Sequence, residues 1–161
     1  MSRNVKYIVL HCTDTSPLAS MEAIKRYWKE HNKWERPGYH YIIKSNGEVV
    51  KLLNEIVKLL NENLVSNGVL GFNQQCINIA YIGGKTKEGK HADTRTPQQE
   101  DAMYELIMWI KERHPNAELK GHCEFPNQGG RTCPNFDVKE WQKNYIPSVV
   151  RENPDQEEDE E

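Results

Sequence analysis

Two histidines and a cysteine carry the chemistry this chain has to offer. His11 ends an apolar run, VKYIVLH, while His122 and Cys133 bracket a Gly- and Pro-rich loop in GHCEFPNQGGRTCPNFD. Two imidazoles and a thiolate are the donors of a hydrolytic zinc site, where three protein ligands leave a fourth position open for water. Spacing alone says less, because no CxxC pair is present and no simple rule ties Cys133 to the histidines. Cys123, beside His122, competes with Cys133 for the thiolate role. A lone histidine at a strand end is more often a satisfied core or surface group, so the trio matters only if the elements carrying it are neighbours.

Those elements belong to one domain. The chain has 161 residues, enough for a single well-buried core and too few for a comfortable second one. With 21 basic and 24 acidic residues the net charge is −3, and no Lys/Arg stripe with interleaved aromatics marks a nucleic-acid surface. Much of the acidity lies in the tail NPDQEEDEE, which has no apolar residue to offset its ordering entropy. The expected organisation is a folded domain over 1–150 and a disordered acidic tail over 151–161. No run approaches the ~20 apolar residues of a membrane span, and MSRNVKYIVLHCTDT lacks the pattern of a signal peptide. The chain is therefore expected to be cytoplasmic as synthesised, or the mature form of an exported protein, and monomeric. Four cysteines suffice for two disulfides by number, but a reducing compartment favours thiols and a metal thiolate.

Patterning predicts alternating elements. Residues 5–11 form a buried strand, and residues 20–31 carry Met21, Ile24, Tyr27, Trp28 and His31 at helical spacing behind a Ser20 cap. GYHYIIKSNGEVVKLL reads as two strands joined at Ser45-Asn46-Gly47, because Asn-Gly supplies the positive φ angles of a tight hairpin. CINIAYI is a further strand. Thr96-Pro97-Gln98-Gln99 opens the clearest helix as a capping box with proline at the first position, and Met103, Leu106, Ile107 and Ile110 form its core stripe. ELKGH is a short strand leading to His122, and Asp137 with Glu140 caps a final helix carrying Trp141. Strands interleaved with helices imply an α/β fold with a mixed central sheet flanked by helices.

One repeat departs from this pattern. VVKLLNE at 49–55 is followed at once by IVKLLNE at 56–62. A seven-residue period places positions 49, 53, 56 and 60 on one helical face, which favours a helical insert; a strand accounts only for the first copy. Its functional reading is a partner-binding helix, against which stands an insertion tolerated in a loop.

The ordered strings IVLHCTDT, GYHYIIKSNGEVV, CINIAYIGG, TRTPQQEDAMYELIMWI and GHCEFPNQGGRTCPNFDV together resemble the type 2 N-acetylmuramoyl-L-alanine amidases, a family that includes bacteriophage endolysins and shares its fold with peptidoglycan recognition proteins. The resemblance spans roughly residues 5–142. It implies a Zn2+ ion held by His11, His122 and Cys133, with Cys133 preferred to Cys123 because it sits in the CP-x-FD string. It implies a site tyrosine at Tyr39 rather than His40, since strand alternation gives Tyr39, Tyr41 and Ile43 one face and His40, Ile42 and Lys44 the other. Arg131 stands where phage members carry lysine, so it offers a fixed charge for an oxyanion but no proton shuttle. Ala80 stands where other members carry a glutamate. Asn73 and Glu124 are candidate substrate contacts, and Cys12 and Cys76 are small core residues facing away from the metal. The implied activity is hydrolysis of the amide between N-acetylmuramic acid and L-alanine in peptidoglycan. Two alternatives stand beside it: a non-catalytic peptidoglycan-recognition module, and an interaction protein of the kind that restrains a viral RNA polymerase in one phage branch.

Overall fold

The computed structural model describes residues 3–45 and 56–145. Five strands, β1 (Tyr7–Cys12), β2 (Tyr41–Ile43), β3 (Ile56–Lys58), β4 (Cys76–Tyr81) and β5 (Glu118–Gly121), form one sheet in the order β3-β2-β4-β1-β5. The helices are α1 (Met21–Glu30), α2 (Pro97–Lys111) and α3 (Val138–Asn144). The fold is α/β with helices flanking a central sheet, and its body of four strands is parallel throughout. Antiparallel pairing is confined to the three-residue edge strand β3 against β2, so the mixed character expected from sequence shrinks to that edge.

Parallel strands are covered on both faces, and here they read as unbroken buried runs. Alternation sorts their side chains. Ile8, Leu10 and Cys12 of β1 and Ile77, Ile79 and Tyr81 of β4 pack with Met103, Leu106, Ile107 and Ile110 of α2. A fully buried Leu or Ile in such a layer contributes about 1.5–3 kcal/mol. The opposite face holds Ile42, Ala80 and Ile82 against Ile24 and Trp28 of α1, with Val9, Val69, Cys76 and Phe125 beyond them. His11 and Asn78 belong to this second face, in step with Val9 and Ala80.

The helices begin where local sequence dictates. Ser20 Oγ accepts from the Ala23 N–H at 3.1 Å, and Asp137 Oδ1 accepts from the Glu140 N–H at 3.0 Å. The capping box of α2 is complete, with Thr96 Oγ1 on the Gln99 N–H and Gln99 Oε1 on the Thr96 N–H, both at 3.0 Å. Gln99 does more than cap: its Nε2 donates to the carbonyls of Ile43 and Ile82 at 3.1 and 3.2 Å, tying the helix start to the ends of β2 and β4.

In the second copy of the repeat the helical insert that the period suggested gives way to a strand. That copy opens with β3, whose backbone pairs with Tyr41–Ile43; β-branched residues beside an unpaired strand edge win over a heptad pattern too short to sustain a helix. The first copy, the Asn46-Gly47 part of the expected turn and the acidic tail lie outside the described residues.

Gln99→Glu keeps the capping oxygen but replaces two N–H donors by a carboxylate oxygen facing two buried carbonyls. It is expected to cost at least ~1–3 kcal/mol in denaturant unfolding, with the sheet-side contacts rather than the helix cap as the source.

Candidate active site

Parallel pairing decides where the trio meets. Leu10 of β1 lies opposite Gly121 of β5, so the next residue on each chain segment, His11 and His122, emerges at the same carboxyl edge of the sheet. That is where open α/β sheets gather their ligands. The imidazole centroids are 4.7 Å apart with the rings inclined at 56°. The loop after His122 then returns: the Cys123 N–H donates to the Cys133 carbonyl at 2.9 Å, and the Cys12 N–H donates to Cys133 Sγ at 3.0 Å. Ligand atoms from His11, His122 and Cys133 all fall within 4.8 Å of one another, close enough to hold a metal ion.

The trio sits on the inner wall of a cleft of about 1120 Å³. Trp28, Trp34 and Tyr39 form an aromatic side, and Lys85, His91 and Arg131 bring cationic and imidazole groups to another. His11 and His122 are only 1% and 7% exposed. Burial, reinforced by the neighbouring His122, holds His11 well below the usual imidazole range; burial also lowers His122. Both rings are therefore neutral near pH 7, the form that binds metals. Burial and the adjacent Cys12 push the Cys133 thiol well above its ordinary value.

The N-acetylmuramoyl-L-alanine amidase family model matches residues 1–136. The chain belongs to that family. It is similar to the endolysin of Escherichia phage T7, with 30% identity over 89% of this chain and 90% of the relative, and to the endolysin of Klebsiella phage KP32, with 28% identity over 83% of each. Among solved structures it resembles the endolysin of the Thermus scotoductus bacteriophage Ph2119, at 25% identity and a TM-score of 0.69, covering 91% of this chain and 88% of that one.

Within this amidase-family chain the other candidate residues separate. Tyr39 lines the cleft; its ring lies 5.0 Å from that of His11, and its hydroxyl donates to the Cys12 carbonyl at 3.3 Å. Burial, with the Cys133 and Cys12 thiols nearby, holds the Tyr39 phenol well above its usual value, so it stays a donor. The alternation used to orient it does not apply, however. Tyr41 and Ile43 pack toward α2, whereas Tyr39 packs beside Trp28 and Ile42, because β2 begins only at Tyr41. Arg131 is an exposed residue at the cleft rim. Asn73 also lines the cleft, with its Oδ1 accepting from the Val69 N–H at 2.6 Å.

Glu124 does not join them. Its carboxylate accepts from the Gly121 N–H at 2.8 Å and lies 3.9 Å from Lys139, and it is absent from the cleft wall. Cys123 is exposed and stands outside the ligand cluster. Cys12 and Cys76 are buried, and all four cysteines are free thiols, yet Cys12 is no bystander, since its backbone holds the Cys133 sulfur.

Two residues that sequence reasoning passed over touch the two histidines directly. Asn78 Oδ1 lies 2.8 Å from His11 Nε2, and Gln128 Oε1 lies 2.9 Å from His122 Nε2. An asparagine inside the apolar strand CINIAYI was a legible signal, because a buried amide has to be paired. Gln128, in a loop, carried none.

With both imidazoles neutral and the thiol protonated at pH 7, loading the site with zinc is expected to release about one proton, from Cys133. Calorimetric titration in buffers of different ionisation enthalpy measures this number. Affinity should rise ~tenfold per pH unit between pH 7 and 8; release of two or more protons would show that a histidine is charged in the metal-free protein.

Proposed function

We propose that this chain is a zinc-dependent amidase that hydrolyses the bond between the lactyl group of N-acetylmuramic acid and the L-alanine of the stem peptide, in the manner of an endolysin. The observation that carries the reading is the convergence of His11, His122 and Cys133 in the wall of an open cleft, in a chain of this family. The donor set suits zinc: at bond lengths of ~2.0–2.3 Å, tetrahedral ligands lie about 3.3–3.8 Å apart, a small closure from the 4.8 Å span found here. Among the described residues no other His, Cys, Asp or Glu completes this cluster, which leaves a position open, as catalysis requires and a closed structural site does not.

The chemistry such an ion supplies when bound is Lewis acidity, which polarises a carbonyl and makes water acidic enough to attack near neutral pH. The protein supplies the rest. Trp28 and Trp34 give the cleft apolar surface against which a sugar ring and a lactyl methyl can lie. Tyr39 keeps its hydroxyl hydrogen and sits beside His11, so that hydrogen can turn from the Cys12 carbonyl to the oxyanion that develops on the scissile carbonyl. Arg131 adds a fixed positive charge at the rim, and Asn73 offers an amide for the peptide. Ala80, opposite His11 in the ladder, supplies no base. Asp14 is the only carboxylate on the cleft wall among the described residues, and it is engaged by His91 at 3.1 Å and Lys85 at 3.9 Å.

Incubation with purified peptidoglycan should release free stem peptides, and both a chelator and Cys133→Ala should abolish that release. Cleavage that survives either treatment rejects the zinc assignment; intact peptidoglycan carrying bound protein supports a recognition module instead. Tyr39→Phe and Arg131→Ala are each expected to lower kcat by ~10²–10³. Arg131→Lys, which keeps the charge, should hold activity at or above that of the unaltered enzyme in the same stem-peptide assay.

A further inference from the structure

Behind His11 runs a chain of hydrogen bonds whose proton directions are fixed at its far end. It starts at His40, wholly buried along with Ser66 and Asn78. His40 Nε2 lies 2.7 Å from the Leu64 carbonyl, which can only accept. His40 Nδ1 receives the backbone N–H of Asn78 at 3.0 Å, which can only donate. The ring is therefore neutral with its hydrogen on Nε2, in keeping with burial holding it down to about 4. Arg3 Nη2 also approaches Nε2 at 3.3 Å, but it donates to the Glu62 carbonyl at 2.6 Å and does not need the ring.

From that fixed point the directions follow link by link. Ser66 Oγ, 3.2 Å from the unprotonated His40 Nδ1, shares that nitrogen's lone pair with the Asn78 N–H as the second and longer donor, and so presents its own lone pairs to Asn78. Asn78 Nδ2 donates to them at 2.7 Å, which leaves Oδ1, not the amide nitrogen, facing His11. His11 Nε2, 2.8 Å away, must then carry the hydrogen, and Nδ1 is the nitrogen left with a lone pair. We propose that the His40–Ser66–Asn78 chain is a positioning relay that locks His11 in the Nε2–H tautomer, with Nδ1 turned to the metal. The proposal deepens the amidase reading and rests on it.

The packing around Asn78 is built for this arrangement. A Cβ at Gly68 would lie 2.5 Å from Asn78 Cγ and 2.7 Å from its Oδ1, so the amide occupies space that only glycine leaves free. Gly68 has no positive φ to explain it; its missing side chain is the explanation. The second ligand is held by the same kind of group. Gln128 Nε2 donates to the Leu70 and Pro126 carbonyls at 2.9 and 3.0 Å, both pure acceptors, so its Oε1 must receive the His122 Nε2–H. Neutral amide oxygens, rather than carboxylates, thus stand behind both imidazoles. They orient the rings without passing negative charge to the ligands, which preserves the electrophilicity of the ion.

The test compares zinc affinity, by chelator competition, with the ring nitrogen shifts of His11 in 15N-labelled, metal-free protein. Asn78→Leu matches the amide in size but offers no acceptor; it is expected to lose 10–100-fold in zinc affinity and to show His11 as a mixture of tautomers. Asn78→Asp restores an oxygen acceptor and should keep the Nε2–H form and tighter binding than the leucine variant. Gly68→Ala, which touches no ligand, should weaken zinc binding by displacing the Asn78 amide, and Ser66→Ala should do so to a smaller degree. The last two keep the test decisive if Asn78→Leu does not fold. A purely structural role would lower the unfolding temperature while leaving affinity and tautomer unchanged, and that outcome in the folded variants overturns the relay. Failure of the unaltered protein to bind zinc overturns the amidase reading instead.

Discussion

Everything at the cleft depends on the central strand β1 being paired in parallel on both sides, with β4 and with β5. A parallel ladder brings carboxyl ends to one edge, so His11 and His122 become neighbours although 111 positions separate them in the chain. Had β5 run antiparallel, His122 would open at the opposite edge. The same strand supplies the third contact, since the Cys12 N–H at its end donates to the Cys133 sulfur. One strand thus carries one candidate ligand, aligns a second and anchors a third. The burial that makes this possible comes from the α2 layer on its far face, where alternate residues of β1 and β4 are apolar without exception.

The two faces of the sheet solve different problems. Toward α2 the layer is nearly all hydrocarbon, and Gln99, at its margin, satisfies strand-end carbonyls rather than a ligand. Toward α1, polar side chains are buried in a row: His40, Ser66, Asn78, His11, His122 and Gln128. Each unpaired member would cost about 1–3 kcal/mol, so a row of them is tolerable only when the hydrogen bonds close. They do close, through backbone carbonyls of Leu64, Leu70 and Pro126 at the far ends. The low local dielectric that makes this arrangement demanding also keeps the imidazoles neutral and strengthens the hold on any cation they bind.

What was legible in the sequence was what short-range chemistry determines. The Thr96–Gln99 capping box, the Ser20 and Asp137 caps and the core stripe of α2 involve partners within a few residues, so pattern and structure coincide. His11 and His122 were legible at one remove, as histidines ending strands. Cys133 needed the family's string of residues, because nothing local says where an excursion of 11 positions from His122 to Cys133 will return. Tyr39 does line the cleft, but alternation is not what puts it there: alternation holds only inside a strand, and the segment before Tyr41 is not in the ladder. At the second heptad copy the period misled, because it is weak evidence over two turns when a strand edge is waiting to be paired. Glu124 looked available in a loop, and the Gly121 amide and Lys139 had prior claim on it.

The distribution of charge in the cleft bears on how the amide bond would be broken. An enzyme that relies on a general base needs a carboxylate or imidazole free to take a proton. Here Ala80 faces His11 across the ladder, Asp14 pairs with His91 and Lys85, and His40 is engaged by the Leu64 carbonyl and the Asn78 N–H. What the cleft does hold in quantity is positive or hydrogen-donating: Tyr39, Arg131 and Lys85 all line it. A wall of that kind favours the stage at which negative charge appears on the scissile oxygen over the neutral amide that precedes it. The residues therefore divide the labour by distance. Those touching the histidines are neutral amides, those lining the cleft carry positive charge or donors, and the first group adds no carboxylate to oppose the second.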